Sequence, residues 1–281
     1  MMLSMYTPFG RPRPRLPSFR GWFGIFCSVM MAAGPAPAED PAAPGPAAGM
    51  TPAGDSMLSG THASQWVVST EGDRTSGWLF QNGVLMANPI GEDEPDEALD
   101  LDWPEPVGDF ELAFEFQVLR MGWGGIEYRR PESPGTGRPL RGLIFCICDD
   151  AHHPLPRVGR LGNRSTGSLY DVLGPSPSSV VRPLGEWNQA RIVAQGSKIE
   201  HWINGMRVLR SDTARPEFEA LAAGSIFRDT PQYGRTPIGG LRLLRGDGRI
   251  AYRNMIFRTP DTAAAGDSDA DSPAPVPAPA P

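Results

Sequence analysis

The densest group of side chains able to move protons or bind a metal is the run Asp149-Asp150-Ala151-His152-His153. Imidazole titrates near neutral pH, and a carboxylate beside it can take, give or orient a proton. The same acids and imidazoles also suit a divalent metal. Adjacent loop histidines are equally what a solvated turn shows, so spacing alone leaves both readings open. Arg129 ends the run Gly125-Ile126-Glu127-Tyr128-Arg129 and is a candidate partner for Asp149, as a buried ion pair or as a clamp on a developing oxyanion. In an extended strand Glu127 shares a face with Gly125 and Arg129, opposite Ile126 and Tyr128. If that face lines a site, Glu127 joins the acid/base set. Cys146 and Cys148 sit two apart, so in a strand both thiols point the same way, unsuited to an easy disulfide; small core residues is the simpler reading.

These groups need a scaffold, and its period is two. Asp109 to Val118 alternates polar and apolar residues, which puts Phe110, Leu112, Phe114, Phe116 and Val118 on one buried face. Further strands are expected over 77–86, 124–128, 143–148, 188–195, 198–203, 206–210, 240–244 and 249–257. Asn204-Gly205 between two of them signals a hairpin, because a type I′ turn needs positive φ at both central residues. One short helix is expected over 217–223. Many short strands punctuated by Gly and Pro predict an all-β fold, a two-sheet antiparallel sandwich of the jelly-roll kind.

The ends read differently. Residues 1–20 carry Arg11, Arg13, Arg15 and Arg20 without an acid, and an apolar stretch too short to span a bilayer leads to Ala36-Pro37-Ala38. This is the pattern of a cleaved secretory signal, 1–38, and predicts a secreted or periplasmic protein without a membrane span. Loss of the four arginines deepens the formal charge from −6 to −10. An acidic surface repels phosphate backbones and argues against nucleic acid as a partner. Segments 39–56 and 261–281, rich in Pro, Ala, Gly and Asp, read as linker and tail. About 200 residues, 57–260, remain as one domain.

Along that domain stand Asn82-Gly83-Val84-Leu85, Phe110-Glu111-Leu112, Gly125-Ile126-Glu127-Tyr128-Arg129, Asp149-Asp150 and Thr166-Gly167-Ser168-Leu169-Tyr170. Gly185-Glu186-Trp187-Asn188, Asn204-Gly205 and Tyr252-Arg253-Asn254-Met255 follow. In type and order these elements resemble the 3-keto-disaccharide hydrolase family. The resemblance implies a concanavalin A-like jelly roll whose concave face takes an oligosaccharide or a sugar oxidised at its third carbon. A ketone there acidifies the neighbouring C2 hydrogen, so a base can remove it and the glycosidic oxygen at C1 can leave. Such a site needs a base, a group that polarises the ketone and an acid for the leaving oxygen.

Carried over residue by residue, the resemblance implies Asp149 as a catalytic group and Arg129, Tyr170, Glu186, Arg253 and Asn254 as substrate contacts. The loop itself adds His152 as a candidate catalytic group and Asp150 as a candidate contact, and strand alternation adds Glu127 as a replacement for lost acid/base groups. Glu186 also has a structural reading as a turn acceptor, and Arg253-Asn254 as a tie between strand ends. The departures lie at the expected site: Ile144 and Cys146 stand where the family has Glu and Gln, and Trp123-Gly124 where it has Asn-Ser. Leu244 and Gly246 fall near a family Gln and His. Two classes of function follow, a hydrolase or lyase on 3-keto-glycosides and a glycan-binding module that has lost the chemistry. No cofactor is indicated; a divalent metal is compatible with the residues but not required by them.

Overall fold

The computed structural model describes residues 54–58, 65–68, 77–87, 100–132, 140–178, 180–230 and 232–260. The expected signal 1–38, linker residues 39–53 and the tail 261–281 lie outside them. In chain order the strands are β1 (Asp55–Ser56), β2 (Val67–Val68), β3 (Trp78–Gln81), β4 (Val84–Ala87), β5 (Leu101–Asp102), β6 (Phe110–Val118), β7 (Trp123–Arg130) and β8 (Leu143–Cys148). After a single helical turn, α1 (Leu155–Val158), come β9 (Trp187–Gln195), β10 (Lys198–Ile203), β11 (Met206–Asp212), α2 (Pro216–Ala223), β12 (Gly240–Arg245) and β13 (Ile250–Arg258).

All strand pairs within these sheets are antiparallel, and the fold is the expected two-sheet jelly-roll sandwich. One sheet runs β11-β10-β9-β6-β13-β4-β3, with β1 added on β13; the other runs β2-β5-β12-β7-β8. Two boundaries differ from expectation. Asp55 and Ser56, assigned to the linker, pair with Phe257 and Ile256 instead. The stretch expected as one strand over 77–86 is two strands folded about Asn82-Gly83, whose φ values of 52° and 75° make a tight turn. The same logic acts at Asn204-Gly205, with φ of 49° and 82°.

The alternation in β6 sets the core. Phe110, Leu112, Phe114, Phe116 and Val118 are all buried, and Phe114 meets Phe145 of β8 edge-on at 5.6 Å. Phe110 meets Tyr128 of β7 in the same way at 5.7 Å. Each such aromatic contributes about 1.5–3 kcal/mol by leaving water. Strand β8 is buried on both faces, so it reads as an unbroken apolar run. Its free edge is closed by the chain at 167–170, with Gly167 N donating to Cys146 O at 2.9 Å and Tyr170 N to Ile144 O at 3.0 Å. Cys146 and Cys148 are buried free thiols. Among the described residues no helix is long and apolar enough to cross a membrane.

Candidate functional site

The Asp149 loop is a tightly built turn. Its carboxylate is fully buried and accepts the N–H of Met121 (2.9 Å), Ala151 (3.2 Å) and His152 (3.1 Å), with His152 Nδ1 at 3.0 Å. Burial alone would raise the pKa of Asp149, but these donors outweigh it and hold the carboxyl below its ordinary range. An acceptor so fully supplied is a poor proton acceptor. Asp150 also takes Thr166 N, at 2.9 Å, but burial outweighs that donor and pushes its carboxyl up to about 6; buried His153 accepts Leu155 N at 3.2 Å. Among the described residues no group of three or more His, Cys, Asp or Glu is arranged to hold a metal ion.

Arg129 does not pair with Asp149. Strands β7 and β8 are registered Trp123 to Cys148 and Tyr128 to Leu143, so Arg129 lies at the far end of the pair, about 20 Å away at strand rise. Its guanidinium donates to Asp109 Oδ1 at 2.8 Å and to Gly196 O at 2.5 Å. The expected shared face with Glu127 fails for a local reason. Arg129 has φ of 51°, and the pairing of β12 with β7 slips between Gly240 and Arg242. This bulge breaks the alternation and sends Arg129 to the opposite sheet.

Arg253 and Asn254 lie on the outside of the eight-stranded sheet, because Arg253 is registered with Glu115, whose neighbours Phe114 and Phe116 point inward. Arg253 Nε donates to Glu115 Oε2 at 2.8 Å and its guanidinium covers the Trp187 ring at 4.1 Å. Asn254 Nδ2 donates to Glu115 Oε1 at 3.1 Å. Glu186 is exposed, and its carbonyl accepts Asn188 Nδ2 at 3.3 Å. These three residues form no common surface with Glu127.

The outer face of the five-stranded sheet carries a second set of charges, more deeply buried than those around Glu115. Tyr128 points inward, its hydroxyl 2.9 Å from His201 Nε2, so Glu127 points outward. Registry places Asp102, Arg242, Glu127 and Ile144 in one row across β5, β12, β7 and β8. Arg242 grips Asp102 with Nε at 2.6 Å and Nη2 at 2.8 Å, and its Nη1 lies 3.5 Å from Asp100 Oδ2. Arg130 Nη2 reaches the same Asp102 at 3.4 Å. Glu127 is 0 % exposed; its Oε1 accepts Gly142 N at 2.8 Å, while its Oε2 has no hydrogen bond and faces Arg141 Nη1 at 3.8 Å. Asp100 is pushed up to about 6 by burial, with Glu127 adding to the shift and Arg245 N and Arg242 opposing it. A buried carboxylate with a free lone pair, a carboxyl that holds its proton into the neutral range and flanking guanidiniums can together take a proton, give one and stabilise an oxyanion.

The next row, Leu244, Gly125 and Cys146, is apolar. Beyond it Trp123 packs against Tyr170 at 5.8 Å, and the indole Nε1 and the phenol hydroxyl are both buried without a partner. Of the residues expected from sequence, Glu127 and Tyr170 therefore share this side of the molecule. Asp100, Asp102, Arg141 and Arg242 were missed. A signal existed, since Asp100-Leu101-Asp102 and Leu241-Arg242-Leu243 both alternate, and a charge between two inward leucines must face out.

A model described as a 3-keto-alpha-glucoside-1,2-lyase-like domain matches residues 55–258. The chain belongs to this family. The ordered motifs read from sequence therefore reflect true membership. A 3-keto-disaccharide hydrolase of Bacteroides thetaiotaomicron is 28% identical over 163 residues, 54% of this chain and 56% of that protein, so the chain spans about half the length of this relative. Two structures of a candidate glycosyl hydrolase from Parabacteroides distasonis superpose with TM-scores of 0.59 and 0.50, each at 21% identity. They cover 70% and 65% of this chain and 89% of theirs in both cases. At that identity the likeness establishes the fold, while chemistry within the family rests on the residues present here.

Proposed function

We propose that this protein is an exported carbohydrate-active enzyme that cleaves 3-keto-glycosides by elimination and hydration on the outer face of the five-stranded sheet. One observation carries the reading: Glu127 is a fully buried carboxylate with an oxygen that no donor satisfies, set among Arg141, Arg242 and Asp100. Glu127 takes the C2 hydrogen of the sugar as a proton, and its bonding pair moves toward C3 as an enolate. Arg141 and Arg242 offset the charge that collects there. The enolate then expels the C1 oxygen, which Asp100 protonates as it leaves. Water adds to C1 of the resulting enone, C2 recovers a proton from Glu127, and Asp100 is reprotonated. The sum is one water consumed for one glycosidic bond.

Membership in the family and the named hydrolase relative support the substrate class. The amino-terminal signature supports export, with a mature chain beginning near Glu39 and a domain over 57–260. Within this reading Asp149 and His152 shape the turn beside β7, Tyr170 contacts the sugar, and Asp150, Arg129, Glu186, Arg253 and Asn254 act through the scaffold. A second reading, a glycan-binding domain without turnover, is favoured by Ile144, Cys146 and Leu244, apolar residues registered beside Glu127 and Gly125 where the resemblance expects polar groups. Turnover of a panel of 3-keto-glycosides, with sugar binding measured alongside, separates the two. Release of both halves of the substrate is expected; binding without release would favour the second.

A further inference from the structure

A cleft of about 1130 Å³ opens at one end of the sandwich and takes no part in the chemistry assigned to Glu127. Its walls come from β1, the start of β6, the ends of β9 and β13 and the segment 103–109; among the described residues β7, β8 and β12 contribute nothing to it. The volume is just above the about 300–1,000 Å³ usual for a ligand site.

Two aromatic rings are fixed in this cleft, and both keep partial exposure. Trp103 N donates to Leu241 O at 2.9 Å, and its ring meets Trp66 edge-on at 5.2 Å. Trp66 is held in turn by Nε1 donating to Met57 O at 3.0 Å. Phe257 stacks on Phe110 at 5.6 Å with an interplanar angle of 18°. The segment that carries Trp103 is pinned again four residues on, where Val107 and Gly239 exchange backbone hydrogen bonds of 2.8 and 3.0 Å.

Around the rings stand polar groups with capacity left over. Asp109 Oδ1 accepts both Arg129 Nη2 at 2.8 Å and Gly196 N at 2.9 Å, so the carboxylate is oriented, while Oδ2 receives no protein donor and the side chain is 47% exposed. Gln65 and Gln195 are exposed and their amides have no partner among the described residues. Glu111 and Asp109 each meet an arginine, but Asp55 and Glu105 do not, so the lining leans negative and repels anions. Fixed rings that offer a face, and acceptors and amides that offer hydrogen bonds, match the two sides of a pyranose: an apolar C–H surface and a rim of hydroxyls.

We infer that this cleft binds a neutral oligosaccharide, with C–H faces on Trp103 and Phe257 and hydroxyls on Asp109, Gln65 and Gln195, as a second sugar site apart from the one around Glu127. Binding here breaks no bond, and it stands whether or not 3-keto-glycosides are turned over.

The test is titration calorimetry of the full chain with maltohexaose, cellohexaose and xylohexaose, none of which carries a 3-keto group. Wild type, the double variant Gln65→Ala/Gln195→Ala, Trp103→Ala and Glu127→Gln are compared, with melting temperatures alongside. At least one hexasaccharide should bind wild type. The double variant should bind it about tenfold more weakly, for two lost hydrogen bonds, with an unchanged melting temperature because no bond within the protein is removed. Trp103→Ala should weaken binding by about the same factor, and Glu127→Gln should bind as wild type does. If Trp103→Ala does not fold, the double variant decides alone, since its side chains support nothing else. No binding of any hexasaccharide to wild type, or full affinity in the double variant, would overturn the inference. So would a loss in Glu127→Gln equal to that in the double variant, which would put the sugar on the other face. Tighter binding of a glucosamine hexamer that fades with salt would overturn the neutral class in favour of a cationic ligand.

Discussion

Asp149 and Glu127 are both carboxylates with no exposed surface, yet the fold treats them in opposite ways. Around Asp149 the backbone of Met121, Ala151 and His152 supplies donors to both oxygens, with His152 beside them. Around Glu127 one oxygen receives Gly142 N and the other receives no hydrogen bond. The first is a satisfied anion that holds a turn. The second carries unspent capacity to accept a proton, with arginines of neighbouring strands and loops close by. The two acids are alike in burial and differ in their supply of donors, and it is on that difference that the proposed reading makes Glu127 the base and Asp149 a holder of the turn.

The largest effect expected from this contrast is on stability. Arg242 neutralises Asp102 through two short bonds and approaches Asp100 as well. Arg242→Met leaves those carboxylates without their main counter-charge and should cost about 3 kcal/mol in chemical denaturation, the lower end for a buried pair because both partners keep some water contact. A loss below about 0.5 kcal/mol, the range of ordinary surface changes, would mean that the outer-face cluster is a solvated network.

Next in size is a pH dependence. The carboxyl of Asp100 has its pKa raised from 3.8 to about 6 in the folded state. Its stabilising contribution is therefore fully present below pH 3.8 and is lost as pH rises through about 6. Relative to Asp100→Asn, the wild type should lose about 2–3 kcal/mol of unfolding free energy between pH 4 and pH 7. Parallel profiles for the two proteins would show that Asp100 titrates normally and is no reserve of protons near neutrality.

Smaller still is the cost of disturbing the Asp149 turn. Asp149→Asn turns one acceptor oxygen into an amide that faces N–H donors, so about 1–2 kcal/mol should be lost in denaturant unfolding. An unaffected midpoint would show that the donors around Asp149 find water as readily as the carboxylate.

The sandwich was legible in the sequence because it depends on period. Strand β6 alternates along its full length, β8 is a continuous apolar run, and Asn204-Gly205 admits few alternatives. The site was legible only where alternation held. Glu127 was placed correctly between Ile126 and Tyr128, but two residues later a bulge reversed Arg129, and nothing in Tyr128-Arg129-Arg130 announces a positive φ. The pairing of Arg129 with Asp149 failed because sequence order cannot show that antiparallel registry puts them at opposite ends. Asp100 and Arg242 are separated by 142 residues, and only the adjacency of β5 and β12 brings them together. The turn at Asn82-Gly83 was misread for a different reason: the apolar residues on both sides masked a hairpin with the same chemistry as the one recognised at Asn204.

The central claim is that catalysis belongs to the under-supplied carboxylate and not to the saturated one. Its most direct test is turnover of a 3-keto-glucoside by Glu127→Gln and Asp149→Asn, each compared with wild type at a temperature where all three are folded. Glutamine retains an acceptor for Gly142 N but cannot take a proton, so Glu127→Gln should lower kcat by about 10²-fold or more. Asp149→Asn should keep kcat within about threefold of wild type, because a change confined to a supporting turn leaves the proton-transfer groups in place. Full activity in Glu127→Gln together with a 10²-fold loss in Asp149→Asn would contradict the account and return the base to the Asp149 loop.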